Sequence, residues 1–157
     1  MRVRKRYGLR EKDFKKVTSG FVETFGMTLD GSRFEEAETD GPTMYLLDGV
    51  PIGFELDGEL YPSIAGIMKF NATEKAVTVD MGAVRFLANG ANVMAPGIVD
   101  ADPSIKKGDT VWVREESHGR PLTVGKATQD GPDMVKGTGV AIETVHFVGD
   151  KIWKLFE

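Results

Sequence analysis

The spacing of hydrophobic positions changes character along the chain. From Arg10 onward, Phe14, Val17, Phe21 and Phe25 recur close to helical spacing, predicting a helix with basic residues on its outer face and a weak point at Gly20 that could split it in two. Three strand-like segments follow, Arg33–Glu38, Thr43–Leu47 and Val50–Leu56. Between and after them, Asp48-Gly49 and Asp57-Gly58 are hairpin signals, because both central residues of a type I′ turn take positive φ. The expectation is a small antiparallel meander. Tyr61-Pro62-Ser63 then opens a helix carrying Ile64, Ile67 and Met68, with Pro near its first turn and an end at about Phe70.

After Asn71–Glu74 the texture becomes one of short strands punctuated by glycine: Ala76–Val79, Thr110–Glu115, Leu122–Gln129, Gly137–Val145 and Lys151–Phe156. Strands at such spacing predict a small barrel or sandwich, here closed by the last segment after the Gly149-Asp150 turn. The expected organisation is two domains, a small α/β unit over 1–74 and a mainly β unit over 75–157, which a length of 157 residues permits.

One stretch, Asp80–Val99, joins a helix signal to two glycine-bearing turns. Asp80 is placed to cap a short helix with Met81, Val84 and Leu87/Ala88 on one face, and Gly90 sits where a left-handed residue ends it. Asn92–Ala95 reads as a short strand. Pro96-Gly97 suits a type II turn with Gly97 at positive φ. Backbone amides left bare beside a helix end would accept phosphate or ribose oxygens, and Arg85 on the exposed face would add charge. A helix stop and a tight turn explain the same glycines without any ligand.

Charge and composition narrow the chemistry. The net charge of −4 argues against a surface that attracts nucleic acid everywhere. Its distribution is uneven: residues 1–16 carry a local +6, residues 17–75 a local −8, and the remainder is near neutral. The MRVRKR start could contact phosphates or form a solvated face. The absence of cysteine removes disulfides, thiolate nucleophiles and sulfur-ligated zinc. No stretch approaches membrane-spanning length, and a cytoplasmic location is expected. His118 and His146 fall on separate elements, so a zinc site would need to recruit carboxylates. Asp100 and Asp102 lie on one side of an extended segment without an evident third ligand, which favours turn and capping roles. Trp112 and Trp153 sit in alternating patterns that favour burial over stacking on bases. No phosphate-binding glycine motif with a following lysine, nucleophile elbow or pseudouridine synthase catalytic segment is present, so no enzyme, metal or cofactor is expected.

From about Lys75 to Phe156 the sequence resembles a PUA domain, the RNA-binding module named for pseudouridine synthases and archaeosine transglycosylases. The resemblance rests on five blocks in order: GANVMAPGI (Gly90–Ile98), IKKGDTVWV (Ile105–Val113), LTVGKA (Leu122–Ala127), KGTGVAIETVH (Lys136–His146) and GDKIW (Gly149–Trp153). The first half is similar to the domain that precedes PUA in archaeal stand-alone proteins related to the malignant T-cell amplified sequence and ligatin translation factors. The resemblance implies an α+β N-terminal domain followed by a mainly β pseudo-barrel of about six strands, with an RNA groove formed by its first helix and glycine loop. It points to Arg85, Asn89, Gly90, Ala91, Asn92, Ala95, Pro96, Gly97 and Ile98 as the RNA-binding residues. It implies a non-catalytic protein contacting tRNA or ribosomal RNA, with the small ribosomal subunit or a translation factor as further partners. The alternative function is a protein-interaction adaptor whose acidic meander docks a partner while the barrel is structural.

Overall fold

The basic start of the chain forms a strand, β1 (Val3–Gly8), which the sequence pattern did not predict because it lacks an apolar alternation. A computed structural model describing residues 1–157 continues it into α1 (Glu11–Phe25). This helix is unbroken at Gly20 and turns Phe14, Thr18, Phe21 and Phe25 inward. A meander follows: β2 (Phe34–Thr39), β3 (Thr43–Leu47), β4 (Val50–Leu56) and β5 (Glu59–Pro62). With β1 these strands make one sheet of order β1-β2-β3-β4-β5, antiparallel throughout. Both hairpins have the anticipated chemistry, with φ of 50° and 82° at Asp48 and Gly49 and of 52° and 80° at Asp57 and Gly58. The helix α2 (Ile64–Lys69) is capped by Ser63, whose Oγ accepts from the Gly66 amide at 3.0 Å.

The second sheet comprises β6 (Ala76–Val79), β7 (Val93–Met94), β8 (Ile98–Ala101), β9 (Thr110–Glu115), β10 (Pro121–Ala127) and β11 (Val140–Phe147). Its order is β7-β11-β10-β9-β6-β8, with one parallel pairing, β6 on β9. The mixed sheet curls into a half-barrel. Val77, Val79, Val111, Val113 and Ile142 fill its interior together with Leu87 of the short helix α3 (Val84–Leu87) and Met134 of α4 (Gly131–Met134). A four-residue helix cannot sustain itself in water. Burial of Leu87 to 2% exposure holds α3 on the sheet, a contribution of about 1.5–3 kcal/mol for a side chain of that size.

The C-terminal segment departs from expectation. Lys151–Lys154 is a helix, α5, where a closing strand was predicted. The apolar positions Ile152 and Leu155 stand three apart, a spacing that serves a helical turn, and the alternation read across them is carried by Trp153. The chain divides into two units, Met1–Thr73 with Lys151–Glu157, and Glu74–Asp150. The expected 75–157 range therefore runs past the second unit's end at Asp150.

Candidate nucleic-acid interface

Asp80 organises the entrance to α3 from both sides. Its carboxylate accepts from the Ala83 amide at 3.1 Å, capping the 3-10 turn Met81–Ala83 that leads into α3, and its own amide donates to the Gly97 carbonyl at 2.9 Å. One residue thus ties the helix start to the Ala95–Gly97 turn.

The helix exit is a Schellman motif. Gly90 takes the left-handed position at φ 81°, its amide donates to Leu87 at 3.0 Å, and the Ala91 amide donates to Phe86 at 3.2 Å. Asn89 returns its side-chain amide to the Arg85 carbonyl at 3.0 Å. The amides of Asn89, Gly90 and Ala91 are therefore consumed within the helix end, which corrects the expectation that this backbone lies bare for a ligand. The loop is then fastened to β11: Asn92 Oδ1 accepts from the Thr144 amide at 3.0 Å, and the Thr144 hydroxyl donates to the Ala91 carbonyl at 2.8 Å.

The second turn also differs from expectation. Pro96-Gly97 lies in a 3-10 turn, Ala95–Gly97, with Pro in its first turn, and Gly97 is not at positive φ. Proline's fixed φ suits the start of a 3-10 turn as well as a type II turn, so the dipeptide alone did not distinguish them.

Between α3 and this turn lies a groove of about 560 Å³, lined by Asp80, Ala83, Phe86, Met94, Pro96 and Val140 among others. Of the residues singled out from the sequence, Ala91, Asn92, Pro96 and Gly97 line it. Arg85, Asn89 and Gly90 stand outside the lining, and Ala95 and Ile98 are buried in the core, at 0% and 3% exposure, so their side chains meet no ligand. Arg85 is exposed and lies over the ring of Phe86, 4.8 Å from its centroid.

The sequence reading missed the groove's apolar wall. Phe86 and Met94 are 53% and 50% exposed, and Val140 adds to the same wall. Part of the signal was present: Phe86 stands off the face that Val84 and Leu87 share at i, i+3 spacing, about 100° round the helix from Leu87. The expected apolar face fails at its first member, since Met81 is exposed while Leu87 is buried. An open apolar slot with an accessible ring, a guanidinium above that ring and an amide side chain at its end can stack a flat heterocycle and meet one phosphate.

The other candidates have structural duties. Asp102 accepts from the amides of Lys75 at 2.7 Å and Ser104 at 2.9 Å. Partial burial raises its pKa, but these bonds outweigh that and hold it below the ordinary range. His146 is buried and its Nδ1 lies 2.9 Å from Asp150, whereas the His118 side chain is exposed beside Glu115. Trp112 is buried, and its indole N–H donates to the Glu74 carbonyl at 2.8 Å.

A half-barrel of mixed strands, capped by a short glycine-terminated helix with a groove along its exposed side, is the build of a PUA domain. The PUA domain family matches residues 75–148, and a domain of unknown function, DUF1947, matches residues 5–70. An uncharacterized protein of Methanocaldococcus jannaschii is 43% identical over 159 residues, covering 98% of each chain. The structure of a conserved PUA domain protein from Thermoplasma acidophilum superimposes with a TM-score of 0.86 at 32% identity, covering 98% of this chain and 100% of that one. Translation machinery-associated protein 20 of Schizosaccharomyces pombe is 35% identical over 117 residues, 71% of this chain and 65% of that protein's length. The chain belongs to the family of PUA-domain proteins in which a DUF1947 domain precedes the PUA domain.

Proposed function

We propose that this chain is a non-catalytic RNA-binding protein of translation or RNA modification, and that it takes an unpaired segment of tRNA or ribosomal RNA in the groove beside α3. The observation that carries the reading is the exposed ring of Phe86 on the wall of an open groove in a PUA domain. Unstacked bases of single-stranded RNA bind on aromatic faces, and the 2′-hydroxyl and phosphate add polar contacts. Asn92 and Arg85 supply these polar groups, Pro96, Gly97 and Ala91 shape the slot, and Asn89 and Gly90 set its rim through the helix end. Ala95 and Ile98 act only through the backbone they hold in place. The name of the related translation machinery-associated protein supports the translation setting, and within that setting the further partner we propose is the small ribosomal subunit or a translation factor.

The test is a titration of a fluorescent tRNA acceptor-end oligonucleotide, and of a ribosomal RNA hairpin loop, against the protein and its Phe86→Ala variant. Saturable binding weakened by the substitution supports the reading. Absence of saturable binding to either RNA at low salt overturns it.

A further inference from the structure

The first sheet has two edges, and they are finished differently. β5 is four residues long and ends in Pro62, features that blunt an edge strand. β1 has six residues, no proline, and a single sheet partner, β2. The direction of its backbone follows from one bond. The Leu9 amide donates to the Phe34 carbonyl at 2.7 Å, and the register Tyr7↔Glu36 and Lys5↔Glu38 continues that alternation. In an antiparallel ladder, alternate residues exchange bonds with the neighbour and the others point away. The register shifts between Val3 and Lys5, so the alternation holds from Lys5 onward, and the amides and carbonyls of Arg6 and Gly8 face the open side; both residues are exposed.

The side chains along this edge select what can lie on it. Arg4 and Lys5 are exposed cations, and Arg6, although bonded to Glu35 at 2.8 Å and 3.0 Å, adds to the same field. A second copy of β1 laid antiparallel would set these cations against their own kind, which is destabilising. A polynucleotide backbone would satisfy the outward amides and leave the outward carbonyls facing phosphate oxygens. An extended peptide offers both donors and acceptors, and acidic side chains on it would meet the cations.

We propose that β1 is a docking edge for an extended acidic peptide segment of a partner protein, which adds to the sheet as a further antiparallel or parallel strand along Arg6 and Gly8. The inference stands apart from the RNA reading, since it concerns another unit and another ligand.

The probe is a capped peptide of about seven residues alternating glutamate and valine, titrated against the full chain, with its lysine–valine counterpart and a single-stranded oligonucleotide in parallel. Saturable binding of the acidic peptide, with slowed hydrogen exchange at the Arg6 and Gly8 amides, is expected. Gly8→Pro is compatible with an edge position and removes one outward donor, and its affinity should fall about tenfold or more, below that of Gly8→Ala, which keeps the donor and whose β-carbon meets only the Phe34 carbonyl oxygen at 3.9 Å. Should Gly8→Pro lose its fold, the exchange pattern of the unmodified chain decides. No saturable binding of the acidic peptide, binding without protection of those amides, or protection produced only by the oligonucleotide overturns the proposal.

Discussion

The ring of Phe147 closes the space beside Gly90: a β-carbon on Gly90 would lie 2.7 Å from Cε1 and 2.9 Å from Cζ. At φ 81° the position is also one that L side chains rarely adopt. Gly90→Ala should therefore destabilise the second unit by about 1–3 kcal/mol, the range for a residue held in a sparsely populated backbone region. Urea unfolding, followed by the fluorescence of Trp112 in parent and variant chains that both carry Trp153→Phe, measures the loss. An unchanged midpoint would show that Phe147 swings aside freely and that the helix exit tolerates a β-carbon.

Phe86→Ala removes an exposed ring, so the melting temperature should hardly move, as surface substitutions stay within about 0.5 kcal/mol. RNA affinity should fall by about 1–3 kcal/mol, the contribution of one stacked base. Equal loss of stability and binding would make Phe86 a packing residue instead.

Arg85→Glu should act through charge. The groove is mostly apolar, and the shallow dependence of log K on log salt expected from a few phosphate contacts is about −1 to −2. Removing one cation should flatten the slope by about 0.7, the single-strand value per phosphate neutralised. A slope that Arg85→Glu leaves unchanged would place the phosphate contact elsewhere.

Gly97→Ala tests the corrected turn. A β-carbon there meets only Ala83 Cβ at 3.5 Å, an ordinary contact, and the backbone is not left-handed. Stability should change by no more than about 0.5 kcal/mol, whereas affinity should drop because the methyl group enters the groove. Loss of the fold on thermal melting would restore the strained-turn reading.

Glu115 gives the acid limb of stability a specific source. The His118 amide holds its carboxyl below the usual carboxylate range, burial of the side chain opposes this, and the Gly119 amide and Arg120 reinforce the lowering. A carboxyl more acidic when folded than unfolded stabilises fully above its unfolded pKa, and this is lost as pH falls through the folded value. Glu115→Gln should be less stable than the parent at neutral pH, and the gap should close on acidification below about 4.3, the unfolded glutamate value. Denaturation midpoints at several pH values check this, and a gap independent of pH would make the contribution one of shape alone.

What the sequence disclosed follows from how local the physics is. Asp48-Gly49 and Asp57-Gly58 were readable because positive φ is a property of the dipeptide itself. The helix through Phe14 and Phe21 was readable because its period survives without knowledge of its partner. β1 was not, since an edge strand rich in arginine and lysine buries little and leaves no apolar alternation. Gly97 was misread because proline before glycine serves two turns, and only the bond from Asp80 to its carbonyl fixes which. Arg85 and Pro96 were legible from local helix and turn chemistry and Asn92 from family resemblance, whereas the wall that Phe86 makes with Met94 and Val140 is complete only once β7 pairs with β11 and sets Val140 opposite Met94.

Because Lys151–Glu157 belongs with Met1–Thr73, the unit that begins first is finished last. On a chain emerging from the ribosome, Glu74–Asp150 can complete its sheet while the earlier unit still awaits Ile152, a residue 9% exposed in the finished fold. The order of synthesis and the order of maturation are therefore reversed, and a nascent chain halted before Lys151 would carry a formed groove beside α3 while its first unit is still incomplete.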